Sequence, residues 1–260
     1  MGYTISICGK GGTGKTLLAG LIVRYLVSHK KGPILAVDSD PNSNLGEALG
    51  VVPDTSIVSI VDEFSGERAN LPSGMTKPAY LEYKIEESIV EADGFDLLVM
   101  GRPEGPGCYC YVNELLRGII DRLAKSYPFV VVDNEAGMEH LSRRTTRSAD
   151  TLFIISDYSA VGLRSAKKIL ELAKELEIKI GKPYLVINRV TGDLERLRDE
   201  IENLGIRLIG SIPENQGLTE ISIHGRSLAT LPERSPIVKA IWAICESSID
   251  KDPHRVRIWH

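Results

Sequence analysis

Short runs of nearly unbroken hydrophobicity alternate along the chain with longer stretches whose apolar residues recur at helical spacing. "YTISIC", residues 3–8, predicts a first strand. "KTLLAGLIVRYLVSH" follows from Lys15 with the period of a helix. Further strands are expected at "PILAVD" ending at Asp38, "DLLVMG" (96–101), "FVVVDN" (129–134), "TLFIISD" (151–157), "YLVINRV" and "RLIGSIP". These runs hardly alternate between apolar and polar, which suits parallel strands covered on both faces. Helices are expected between them at 112–125, 162–176 and 194–204. The pattern predicts an α/β fold: a doubly wound, mostly parallel central sheet flanked by helices.

Residues 53–93 are less regular and are expected to hold a helix and a surface excursion. No repeat, low-complexity tract or linker interrupts the chain, so residues 1–260 are expected to form a single domain. The last helical run is "SPIVKAIWAICESSI", in which Ile237, Ile241, Trp242 and Ile244 are expected to pack on the sheet. Lys239 and Glu246 give it too weakly basic a polar face for a membrane-surface helix. Cys245 is expected in that core as a small apolar residue.

Composition narrows the function classes. Hydrophobic residues make up 43% and charged residues 25%, ordinary for a soluble globular protein. The net charge of -4 gives no global drive toward nucleic acid or anionic membrane, and neither is expected as a partner. The opening "MGYTISICGKGG" reads as neither signal peptide nor membrane span, so a cytoplasmic location is expected. Four cysteines over this length do not make a secreted disulfide framework.

The strongest motif is "GKGGTGKT", Gly9 to Thr16, set after a strand and before a helix. It satisfies G-x-x-x-x-G-K-[ST] in the context that gives that pattern meaning. Gly9, Gly11, Gly12 and Gly14 let the backbone N–H groups of the loop, those of Lys10 and Thr13 included, turn toward phosphate oxygens. Lys15 can reach the β- and γ-phosphates, and the Thr16 hydroxyl can ligate Mg²⁺. ATP or ADP with Mg²⁺ is therefore the expected ligand.

The second lysine makes the loop resemble the deviant phosphate loop of the MinD/ParA/nitrogenase-iron-protein family of P-loop ATPases. The resemblance implies that Lys10 crosses a dimer interface to the partner's nucleotide. It also implies a switch in "AVDSDPNSNL", with Asp40 acting on the attacking water and Asp38 holding the hydration shell of Mg²⁺. In "FVVVDNEAGMEH" it implies that Asp133 binds Mg²⁺ through water and that Gly137 is a small switch residue. Asn188 in "VINR" would read adenine, and Pro213 in "SIPEN" would bracket the base. By this resemblance the catalytic residues are Lys10, Lys15 and Asp40.

One stretch remains: "PEGPGCYCYVNELLRG", with Cys108 and Cys110 one residue apart. It follows an expected strand end, where the ligand crevice of a doubly wound sheet lies. Gly105 and Gly107 free the loop, and an expected helix start near Tyr111 would favour thiolates. One C-x-C supplies two ligands, and a symmetric dimer would supply four. Four thiolates can hold Zn²⁺, Ni²⁺ or an iron–sulfur cluster. Cys8 is expected to be packed. Met100, Met138 and His140 lie near enough in sequence to be extra metal contacts, but packing or hydrogen bonding is their expected role.

With this stretch included, residues 7 to about 215 resemble the nickel-insertion accessory ATPases of carbon monoxide dehydrogenase, the CooC type, whose relatives mature acetyl-CoA synthase. The discriminating pieces are "EGPGCYCYVN" and "DNEAGMEHLSRR". The resemblance implies a nucleotide-dependent homodimer, Ni²⁺ (or Zn²⁺) on Cys108 and Cys110, and an apo nickel enzyme as client. Three other readings stay open: an iron–sulfur ATPase like the nitrogenase iron protein, a MinD/ParA-type positioning ATPase, and a redox C-x-C.

Overall fold

The computed structural model describes residues 2–66, 72–102, 114, 118–136 and 148–250. Eight strands form one sheet: β1 (Tyr3–Gly9), β2 (Ile34–Ser39), β3 (Val90–Ala92), β4 (Phe95–Val99), β5 (Phe129–Asn134), β6 (Ser148–Asp157), β7 (Lys179–Val190) and β8 (Arg207–Pro213). Their order is β3-β4-β2-β5-β1-β6-β7-β8. Every pairing is parallel except β3 with β4. From β1 the strands run outward in chain order through β6, β7 and β8 on one side, while on the other β5 is inserted between β1 and β2, so the sheet is wound in both directions from β1 as expected from the sequence. The central strands β2 and β5 are buried along their whole length, which is why they lack polar alternation.

The two faces are covered differently. On one, α1 (Lys15–Ser28) and the helix Pro236–Cys245 pack over Ile5, Ile7, Ala36, Val131, Phe153 and Val186. α1 is apolar almost all round because sheet, helix and loop enclose it. Ile237, Ile241 and Ile244 join this core, Trp242 packs at its margin, and Cys245 is buried within it.

The opposite face carries two separate clusters. α3 (Ile57–Gly66), α4 (Lys77–Glu87) and residues 119–120 cover β2, β4 and β5. The helix Ala160–Glu175 covers β6, β7 and Cys8 of β1. Between the clusters lie two buried polar residues, Ser6 and Asn134.

Several elements differ from the sequence-based expectation. Residues 53–93 hold two helices and the edge strand β3, a three-residue strand turned back by Gly94 at φ +85°. The helix expected over 194–204 is a 3-10 turn, Leu194–Leu197, followed by a short helix, Arg198–Glu202. The helix Gln216–Ile223 and the five-residue α2 (Leu45–Leu49) were not expected; neither is long enough to show a period. Among the described residues no helix is long and apolar enough to cross a membrane.

The helix Ala160–Glu175 starts at a true side-chain cap: Ser159 Oγ accepts from the Gly162 N–H at 3.0 Å. Ser159→Ala should lower stability by ~1 kcal/mol. Denaturant titration with an unchanged slope would measure it, and a loss below ~0.3 kcal/mol would remove the cap from the fold's support.

Candidate nucleotide and magnesium site

The loop Gly9–Thr16 joins β1 to α1 at the carboxyl edge of the sheet. No side chain caps the N-terminus of α1, and its first turn carries no acidic residue. That leaves early N–H groups and the positive end of the helix directed at the loop. Thr13 folds the loop back on itself, its Oγ1 donating to the Lys10 carbonyl at 2.8 Å. Asn188, from β7, donates from Nδ2 to the Thr13 carbonyl at 2.7 Å. The approach is close enough to require glycine at 14: φ is +100°, and a Cβ there would sit 2.3 Å from Asn188 Nδ2. Lys15 is buried, whereas Lys10 is exposed.

Behind the loop stand two acids on adjacent strands. Asp38 lies one residue before the end of β2 and Asp133 one residue before the end of β5, and the two are partners in register. The Thr16 hydroxyl donates to Asp133 Oδ2 at 2.6 Å. Asp133 Oδ1 is buried with no hydrogen-bond partner. Asp38 takes the Asp40 N–H on Oδ1 at 3.2 Å and the Leu45 N–H on Oδ2 at 2.8 Å. Asp40 Oδ1 accepts from both the backbone and the side-chain nitrogen of Asn42, each at 2.9 Å.

Burial dominates the electrostatics. It pushes the Asp38 carboxyl up to about 7, with the nearby Asp133 charge adding to the rise and its two backbone donors opposing it. It pushes Asp133 up to about 6 against the Thr16 hydrogen bond and the Lys15 charge. A divalent cation bound by hard oxygens would relieve both. The orphaned Asp133 Oδ1 beside the Thr16 hydroxyl is such a donor set, so these residues fit Mg²⁺.

A cleft of about 660 Å³ opens from the loop, lined by Gly14, Thr16, Asn188, Pro213 and Asn215 among others. Asn188 and Pro213 are thus brought together with the phosphate loop. Asn188 already spends one amide hydrogen on Thr13, and its Oδ1 accepts from the Arg189 N–H. Arg189 itself lines the cleft at φ +56°, beside an irregularity in the β7–β8 pairing.

The nucleotide-binding domain of CobQ, CobB, MinD and ParA matches residues 5–228. The chain belongs to this family. It is a P-loop ATPase of the MinD/ParA type, and three comparisons show its range. It is 48% identical over 250 residues to an uncharacterised ATP-binding protein of Methanocaldococcus jannaschii, spanning 95% of this chain and 98% of that one. It is 31% identical over 186 residues to the carbon monoxide dehydrogenase accessory protein CooC of Rhodospirillum rubrum, spanning 67% and 70%. Its fold is similar to that of Pyrococcus horikoshii MinD complexed with Mg-ADP, with a TM-score of 0.69 at 20% identity over 99% and 100% of the chains.

Not every candidate residue of this P-loop ATPase falls within the described structure. Cys108, Cys110, Gly137, Met138 and His140 lie outside the described residues. Among the described residues there is no group of three or more metal-ligating side chains. Cys8 is fully buried, and burial pushes its thiol up to about 12, the opposite of a poised thiolate. Met100 packs in the cluster under α3 and α4.

Two buried groups beside Asp133 were not anticipated. Ser39 Oγ donates to the Asp133 carbonyl at 2.8 Å, and Asn134 reaches β1 through its side chain.

The raised acids set a pH dependence. The folded P-loop ATPase holds the Asp133 proton more tightly than the unfolded chain, where the group titrates near the ordinary carboxylate value. The resulting penalty is absent below that value, grows as pH rises, and is complete above about 7. In nucleotide-free protein, Asp133→Asn should therefore melt at least ~2 °C higher than wild type at pH 8, with the gap closing toward pH ~4. A variant no more stable at pH 8 would contradict the buried-charge account.

Proposed function

We propose that this ATPase is a CooC-type metallochaperone. In this reading it dimerises around nucleotide and binds Ni²⁺ as cargo through Cys108 and Cys110 of both subunits. It then loads the metal into an apo nickel enzyme, carbon monoxide dehydrogenase or acetyl-CoA synthase. The observation that carries this reading is the Cys108–Cys110 pair, in a chain 31% identical to the R. rubrum accessory protein. A MinD-type positioning role fits the fold equally well but leaves the two thiols without a task.

The positions of the side chains support the following roles. Lys15 and the loop N–H groups bind the phosphates. Thr16 and Asp133 would hold Mg²⁺ directly or through water, with Asp38 beside them, and the ion would neutralise charge on the phosphate oxygens. Asp40 accepts a proton from the attacking water, and Asn42 fixes its carboxylate. Asn188 keeps a second amide hydrogen for the base, and Pro213 lies on the same cleft. Lys10, exposed at the loop's tip, reaches the nucleotide of the partner subunit, so closure depends on ATP. Closure in turn changes the spacing of the two cysteine pairs.

Two outcomes check the assembly. Asp40→Ala should bind ATP nearly as well as wild type, hydrolyse it slowly and so trap a dimer. Adding Lys10→Ala should return that protein to monomer by light scattering, and a dimer that persists would end the trans role.

Metal should bind reduced protein at about one ion per two chains and should itself favour the dimer by linkage. Cys108→Ser or Cys110→Ser should abolish tight binding and leave ATP affinity unchanged. One ion per monomer with no change in mass, or full affinity in the double serine variant, would turn the reading toward a positioning ATPase.

A further inference from the structure

Asn134 is fully buried on the sheet face between the two apolar clusters, directly after Asp133. Three valines, Val130 to Val132, precede it on the same strand. Its Oδ1 has no hydrogen-bond partner, so the amide carries a polar group that burial penalises and that valine would not have. Packing alone gives no reason for asparagine here.

The sheet register gives one. The β1–β5 ladder ends at the Ile7–Asp133 pair. Beyond it β1 continues along β6, through Cys8 and Gly9, into the phosphate loop. β5 continues along β2 through the Ser39–Asn134 pair. The strands that carry the phosphate loop and Asp133 therefore lose their mutual ladder just as they enter the site. Asn134 Nδ2 crosses this parting, donating to the Ile7 carbonyl at 2.9 Å and to Ser6 Oγ at 2.8 Å. On the other flank, Ser39 Oγ holds the Asp133 carbonyl. Asp133 is thus braced from β1 through Asn134 and from β2 through Ser39.

We propose that Asn134 is a positioning residue for the magnesium carboxylate. It fixes the end of β5 to β1 so that Asp133 Oδ2 stays within reach of the Thr16 hydroxyl and Oδ1 stays directed at the cation. The inference rests on the assignment of Asp133 to Mg²⁺. It adds a residue that touches neither nucleotide nor metal but sets how tightly the metal is held, as outer partners of metal ligands do.

The test is binding, not turnover. A fluorescent ADP analogue is titrated into nucleotide-free protein without Mg²⁺, and then Mg²⁺ is titrated into the complex. Asn134→Leu, similar in volume, should keep the Mg²⁺-free affinity within about twofold and raise the Mg²⁺ needed for half-saturation about tenfold. Ser6→Ala removes one of the two acceptors on β1 and should raise it about threefold. It decides the matter if the leucine variant does not fold. A merely structural role would weaken analogue binding equally with and without Mg²⁺.

Asp133→Asn separates the two levels of the claim by abolishing the Mg²⁺ dependence if the assignment holds. Unchanged Mg²⁺ demand in the Asn134 and Ser6 variants beside a lost dependence in Asp133→Asn overturns the positioning role alone. Unchanged demand in Asp133→Asn overturns the assignment and the inference together.

Discussion

The site depends on two buried acids held side by side, whose burial the Lys15 charge offsets only at Asp133 and only in part. Asp38 and Asp133 face each other across the β2–β5 register at the carboxyl edge of the sheet. Each is pushed up toward neutral pH by its burial, with Asp133 adding to the rise at Asp38. Such a pair weakens the empty protein and strengthens any complex that brings in positive charge. The surrounding geometry serves to keep it in place. Thr16 ties Asp133 to the phosphate loop, Ser39 and Asn134 brace its backbone, and Asp38 spends both oxygens on the N–H groups of Asp40 and Leu45.

That last contact connects chemistry to shape. One carboxylate, Asp38, fixes the backbone of Asp40 and the first residue of α2 together. α2 in turn contributes Glu47 and Ala48 to the wall of the cleft. Asn188 makes the equivalent link on the other side, holding the phosphate loop from β7 while lining the same cleft. Phosphate loop, Asp40 and cleft are thus parts of one hydrogen-bonded frame.

The sheet and the phosphate loop were legible because their signals are contiguous. The apolar runs of β5 and β8 were bounded to the residue, and the loop glycines, lysines and threonines sit within eight positions. What was hidden is carried by contacts remote in sequence. Asn188 meets Thr13 across 175 residues, and Asn134 meets Ser6 across 128. No local pattern marks a buried asparagine that spans two strands. β3 was missed because three residues cannot show a period, although the Asp93–Gly94 pair that turns it is a hairpin signal.

With both carboxyls pushed up by burial, the nucleotide-free site stores protons that Mg²⁺ and nucleotide displace. Calorimetric titration of Mg-ADP into nucleotide-free protein near pH ~6.5, repeated in buffers of different ionisation heat, measures it directly. With Asp38 at about 7 and Asp133 at about 6, binding should release about one proton per site. An apparent heat identical in every buffer would show that both acids are already charged in the empty protein, and would contradict the account.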